Sequence, residues 1–161
     1  MQFYLFRHAD KERSISADPP LSLRGLKQAQ KLRELVETGK IIRPMTLISS
    51  PKIRAQQTLQ PLAQWMNVRL QTSPDYLERQ HHESGLDFQT RVKTSISKIE
   101  KQNGIAFVVT HFDWIEEFLD SISCDTDFNE GAFRSWSPAQ FMDFEIKDGL
   151  WHLNHFGSVQ I

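Results

Sequence analysis

The segment QFYLFRH, residues 2–8, decides the reading of this chain. A continuous apolar run that ends abruptly in Arg7 and His8 is the pattern of a buried strand delivering polar side chains at its carboxyl end. The pattern occurs twice more. MTLISSP, residues 45–51, leads to Arg54, and IAFVVT, residues 105–110, leads to His111. In an open α/β sheet, residues just beyond the carboxyl ends of the strands share one crevice. Arg7, His8, Arg54 and His111 are therefore expected to meet. Two imidazoles beside two guanidiniums suit an anion with several equivalent oxygens, such as a phosphate monoester, because arginine presents planar paired donors and stays charged.

The segments between these strands read as helices. Ser22 can cap a helix running to about Glu37, with Leu26, Ala29, Leu32, Leu35 and Val36 at helical spacing and Gly39 as terminator. Ser50-Pro51 reads as a second helix start, followed by Ala55, Thr58, Leu59, Leu62, Ala63 and Met66 on the inward face, with a kink expected at Pro61. Val68–Leu70 reads as a short strand, 73–86 as a polar loop, 88–101 as a helix burying Val92, Ile96 and Ile99, and 112–122 as another. Asp148-Gly149 between two apolar runs signals a closing hairpin. The alternation predicts a three-layer αβα sandwich, one domain over residues 1–161, with a mostly parallel central sheet and an antiparallel pair near the C-terminus.

Composition narrows the function classes. The 161 residues carry a net charge of −1, so no global positive field draws the chain to nucleic acid. No stretch approaches the ~18 apolar residues of a membrane span, and Met1 opens directly onto a strand-like run with no basic leader. One cysteine, Cys124, allows no internal disulfide and fits a reducing compartment, so the cytoplasm is expected. His81 and His82 fall in the polar loop. His152 and His155, three apart on an expected strand, are expected on opposite faces, and no metal site is expected. Trp114 and Trp136 are expected to pack rather than to line a pocket.

The chemistry follows from the residue types. A neutral imidazole can attack phosphorus, and His8 is the candidate nucleophile. Arg7, Arg54 and His111 can hold the equatorial oxygens on which charge builds. A leaving oxygen needs an acid, and the loop after the third strand offers Glu78 and Glu83, with Asp10 a further carboxylate near His8.

Five ordered segments also resemble a known family. MQFYLFRHAD, DPPLSLRGLKQAQKL, SSPKIRAQQTLQPLA, HESGLDFQTRV and VVTHFDWI are similar, in that order, to the motifs of the histidine phosphatase superfamily, the phosphoglycerate-mutase-like group. The resemblance implies a phosphatase that works through a covalent phosphohistidine on His8 without metal or cofactor. It implies a phosphate pocket of Arg7, Arg54 and His111, and Glu78 as acid with Glu83 as the alternative. Ala9 and Phe112 stand where the family usually has glycine, and Tyr76 where leucine is usual before the acid. The short connection from Glu78 to Asp87 resembles the short bacterial phosphohistidine phosphatases, which usually carry His-Asn-Pro where this chain has His111-Phe112-Asp113. The implied substrate is a phosphorylated small molecule or a phosphoprotein. A phosphotransferase of the mutase type and a weakly catalytic phospho-ligand binding module are the alternatives.

Overall fold

A computed structural model describes all residues, 1–161. Six strands form one sheet: β1 (Gln2–Arg7), β2 (Thr46–Ser49), β3 (Gln71–Thr72), β4 (Ile105–Thr110), β5 (Gln140–Lys147) and β6 (Leu150–Ser158). Their spatial order is β3-β2-β4-β1-β5-β6. The pairs β1/β4, β2/β4 and β2/β3 are parallel, whereas β5 is antiparallel to both β1 and β6. Four helices cover the sheet: α1 (Leu23–Glu37), α2 (Ile53–Met66), α3 (Gly85–Glu100) and α4 (Phe112–Ser121).

The period of two along β1 divides the core in half. Phe3 and Leu5 face α3 and α4, packing with Val92, Ile96, Ile115 and Phe118. Tyr4 and Phe6 face α1 and α2, packing with Ala29, Leu32, Leu59 and Leu62. β1 and β4 are apolar on both faces because helices cover both. The three layers and the mixed sheet are those the alternating pattern predicts.

Details differ from the sequence reading in instructive ways. Helix α2 begins at Ile53, with Lys52 rather than Ser50 at its cap. The Ser50 hydroxyl accepts from the Lys52 amide at 3.3 Å, just before the helix, and also contacts His111, while the first helical amide, that of Ile53, is met by the Asp18 carboxylate at 3.0 Å. The helix passes through Pro61 as one element. Helix α3 starts three residues early, capped by Ser84. The short strand forms at Gln71–Thr72, not at Val68–Leu70.

Leu26 is 46% exposed, because α1 turns Gly25, Gln28 and Ala29 inward instead. The reason is steric: a β-carbon on Gly25 would lie 1.9 Å from the carbonyl oxygen of Asp10, so only glycine lets the helix touch the turn after His8. Gly39, at φ +74°, ends this helix as expected. In the hairpin, β6 carries a bulge. Glu145 pairs with His152 and Asp143 with His155, so one extra residue on β6 brings both histidines to the same face rather than to opposite faces.

Candidate active site

The register of the central strands sets the site. Arg7 pairs with Thr110, and the amides of His8 and Ser50 donate to the carbonyls of Thr110 and Val109, both at 3.0 Å. The carboxyl ends of β1, β2 and β4 therefore finish level, and Arg7, His8, Ser50 and His111 emerge side by side. Arg54 reaches them from the first turn of α2. His8, Arg54 and His111 are each under 10% exposed. The four residues singled out from the sequence do meet: Arg54 Nε lies 3.3 Å from His8 Nε2, Arg54 Nη2 lies 3.3 Å from His111 Nδ1, and the two imidazole centroids are 5.3 Å apart.

The partners assign the tautomers. His8 Nδ1 faces the carbonyl of Ala9 at 2.8 Å, so it carries the proton and Nε2 keeps its lone pair. His111 Nδ1 faces an arginine donor, so its proton sits on Nε2. That nitrogen lies 2.8 Å from Ser50 Oγ and 2.9 Å from Glu78 Oε2. Burial drives the His8 pKa down to about 3, and the neighbouring His111, Arg54 and Arg7 reinforce the shift against the Ala9 hydrogen bond. Burial likewise lowers His111, against the pull of Glu78. Both rings are neutral near pH 7.

The cations differ in their anchors. Arg7 donates to the carbonyl of Trp136 and lies 5.6 Å from the Phe112 ring centroid, while its buried Nε has no partner. Burial and the nearby Arg54 lower its pKa, which leaves a guanidinium charged in the working range. Arg54 also pairs with Asp18 at 3.4 Å and with Glu78 Oε1 at 3.1 Å. The strand end carrying the nucleophile candidate is braced from α2 and α1: Thr58 accepts from the Ala9 amide at 3.0 Å, and Gln28 accepts from the Asp10 amide at 2.9 Å.

The two loop carboxylates separate. Glu78 lies in the pocket, 3.6 Å from Lys52 Nζ as well as against Arg54 and His111. Burial raises its pKa, but the contact with His111 and the Arg54 charge outweigh burial and hold it below the usual carboxylate range. Glu83 is instead clasped by Arg91, with Nε and Nη2 each at 2.8 Å from its oxygens. Asp10 accepts from the Ser22 hydroxyl and so ties the loop to α1. His81 and His82 are exposed. Trp114 and Trp136 are buried, and the Trp136 carbonyl holds Arg7.

Three residues at the site escaped the sequence reading. Ser50 reads as a helix cap in the sequence, and Ser-Pro after a strand fits that use and a contact with His111 alike. Asp18 reads in the sequence only as part of a loop, and its contact with Arg54 spans 36 positions. Lys52 carried no signal beyond lying two residues before Arg54.

Comparison with known proteins bears on the family and the fold. A family model described as the histidine phosphatase superfamily, branch 1, matches residues 3–82. No curated protein sequence matches the chain. Among solved structures, the alpha-ribazole phosphatase from Shigella flexneri is 19% identical with a TM-score of 0.79, covering 100% of this chain and 98% of that one. A phosphoserine phosphatase mutant from Entamoeba histolytica, in complex with phosphoserine, is 15% identical with a TM-score of 0.76 over 99% and 98%. The protein histidine phosphatase SixA, complexed with tungstate, is 16% identical with a TM-score of 0.76 over 99% and 97%. At these identities the likeness is one of fold. No helix of this chain is long and apolar enough to cross a membrane.

Proposed function

The chain belongs to the histidine phosphatase superfamily, and on that premise we propose that it hydrolyses phosphate monoesters or phosphoramidates through a phosphohistidine on His8, without a metal or cofactor. One observation carries the reading. The proton of His8 sits on Nδ1, where the Ala9 carbonyl fixes the ring, and Nε2 turns its lone pair toward the Arg54 guanidinium, a group that can instead hold the oxygens of the phosphorus Nε2 would attack.

The steps balance in two displacements. His8 Nε2 forms a bond to phosphorus as the bond to the leaving oxygen or nitrogen breaks, and Glu78 gives that atom a proton. Water then attacks phosphorus, the P–N bond to His8 breaks, and the Glu78 carboxylate recovers a proton from the water. Arg7, Arg54 and His111 bind the equatorial oxygens, where fixed donors matter most. Glu78 is preferred to Glu83 as acid because Glu83 is committed to Arg91.

The neighbours' phosphoserine and tungstate complexes support a phosphorylated small molecule or phosphoprotein as substrate. The short connection from Glu78 to Asp87 favours hydrolysis over mutase chemistry, since a mutase must keep water from its phosphoenzyme. The lone cysteine supports a cytoplasmic location. A phospho-ligand binding module that turns over poorly is the second reading, favoured by the ionised state of Glu78.

His8→Ala is expected to abolish hydrolysis of p-nitrophenyl phosphate while leaving the fold intact. Wild type quenched during turnover is expected to retain an acid-labile phosphoryl group that His8→Ala lacks. Turnover surviving in the variant would remove the nucleophile and the reading with it.

A further inference from the structure

A general acid must hold a proton when the leaving group departs, yet Glu78 is placed to have none. Its carboxylate spans two groups of the phosphate seat, with Oε1 3.1 Å from Arg54 Nη2 and Oε2 2.9 Å from His111 Nε2. The contact satisfies charge better than it satisfies hydrogen bonds. Glu78 Oε2 is buried with no aligned donor, because the His111 N–H is directed to Ser50, and Arg7 Nε is buried without a partner. A carboxylate brings two oxygens to this seat. A phosphoryl group brings three, arranged to reach Arg7, Arg54 and His111 together.

We infer that Glu78 is a place-holder: a tetrahedral dianion displaces its carboxylate from Arg54 and His111, and the displaced carboxylate takes a proton from solvent, so that substrate binding itself loads the acid. The inference rests on the proposed seat and the proposed acid, and adds how one sets the state of the other.

The charges facing Glu78 give the direction. Arg54 and Lys52 face it from α2, and His111 from the start of α4. Arg7 and His8 lie behind Arg54, and Asp18 draws on the far side of that guanidinium. Asp113 lies beside His111 but is engaged with the Arg79 amide at 2.8 Å. From α3, Arg91 reaches only the Glu78 carbonyl, at 3.3 Å, and spends its charge on Glu83. In the resting protein Arg54 and His111 favour the carboxylate. Once a dianion takes those donors, Glu78 keeps the burial that disfavours its charge and gains like charge at short range. Both push its pKa up.

Sulfate is the probe, because it stays a dianion between about pH 5 and 8 and brings no proton of its own. Calorimetric titration at pH 6, in two buffers of different ionisation enthalpy, is expected to show uptake approaching one proton per sulfate bound by wild type. In Glu78→Gln the uptake is expected to vanish and sulfate to bind about tenfold tighter, ~1.4 kcal/mol, because no anion has to leave. Glu78→Ala serves as a second variant, with thermal melts confirming that each is folded. Uptake that persists in both variants would assign the proton to a histidine and overturn the place-holder. So would wild type binding sulfate with no uptake and no weaker than the variants. Either result would leave the His8 test of hydrolysis standing. Sulfate that binds neither wild type nor variants would instead sink the seat, and the phosphatase reading with it.

Discussion

At the inner end of the pocket, Arg7, His8, Arg54 and His111 stand on the ends of β1 and β4 and on the first turn of α2, mostly buried. At its rim, residues 77–84 carry Glu78, Arg79, His81, His82 and Glu83 on a loop. The rim closes its charges on itself: Glu83 is bidentate on Arg91, whose Nη1 also donates to the carbonyls of Pro74, Asp75 and Leu77. The inner end supplies no anion of its own: Arg7 Nε has no partner, and Arg54 is paired only with Asp18 and Glu78, carboxylates that reach it from loops. Its two guanidiniums face two neutral imidazoles, and the anion nearest to them, Glu78, belongs to the rim. Closed pairs build shape, whereas unmatched donors held by strand ends are available to a ligand. The difference predicts that substitutions inside act on rate and those outside act on stability.

Arg54→Lys tests the inner end hardest. Lysine keeps the charge but loses the fork that touches His8, His111, Asp18 and Glu78 together. The kcat/KM on p-nitrophenyl phosphate is expected to fall by roughly 10²–10³-fold, the range for removing a fixed donor from a charge-developing transition state. A loss of less than about tenfold would show that charge alone is enough and that the geometry is incidental.

Glu78→Gln asks whether the rim's one inward residue belongs to the chemistry. Its effect is expected to depend on the leaving group: about 10²-fold or more in kcat on an alkyl phosphate, whose oxygen needs a proton, and much less on p-nitrophenyl phosphate. Equal small losses on both would return Glu78 to the rim as a structural group.

The same division explains what could be read from the chain. Strands β1 and β4 were legible because a strand covered on both faces must be apolar throughout, and the polar residues that follow then mark the pocket. Hence Arg7, His8 and His111 were placed from local pattern alone. Arg54 needed only the first turn of a helix. Ser50-Pro51 signals only a helix start, and the meeting of its hydroxyl with an imidazole depends on His111, 61 positions away. Asp18 and Lys52 stayed hidden for the same reason. The exposed Leu26 was misplaced because helical spacing gives a face but not its rotation, and the rotation was set by Gly25 against Asp10. The two carboxylates of the rim were indistinguishable by pattern. Arg91, approaching from α3, claims Glu83, and Arg54 and His111 claim Glu78.

Two buried neutral histidines also leave a mark on stability. In the unfolded chain an imidazole protonates below about pH 6.5, whereas His8 in the fold resists protonation down to about pH 3. Between those values the unfolded state binds more protons, so stability falls as pH falls. The loss from His8 is expected to be on the order of 2 kcal/mol between pH 6.5 and 4.5. His111 adds to it with the same sign, and the lowered pKa of Glu78 does so at more acidic pH. Urea midpoints measured across this range should slope less steeply in His8→Gln than in wild type. Parallel slopes would mean that His8 is as free to protonate in the fold as outside it.

The smallest kinetic effect is expected at the rim itself. Glu83→Gln removes the charge that Arg91 grips but keeps the side chain's shape and one acceptor oxygen. Arg91 retains the carbonyls of Pro74, Asp75 and Leu77, so the loop keeps most of its anchor. A hydrogen bond to a charged group is worth about 1.5–3 kcal/mol, and partial retention puts the loss below that range, at ~1 kcal/mol, read as a lowered urea midpoint. The kcat on both alkyl and aryl phosphates should stay within about twofold, because no atom of Glu83 reaches Arg54 or His111. If Glu83→Gln instead slowed the alkyl substrate selectively, the proton would be travelling from the rim, and the partition between a closed rim and an open inner end would fail at the one residue chosen to mark it.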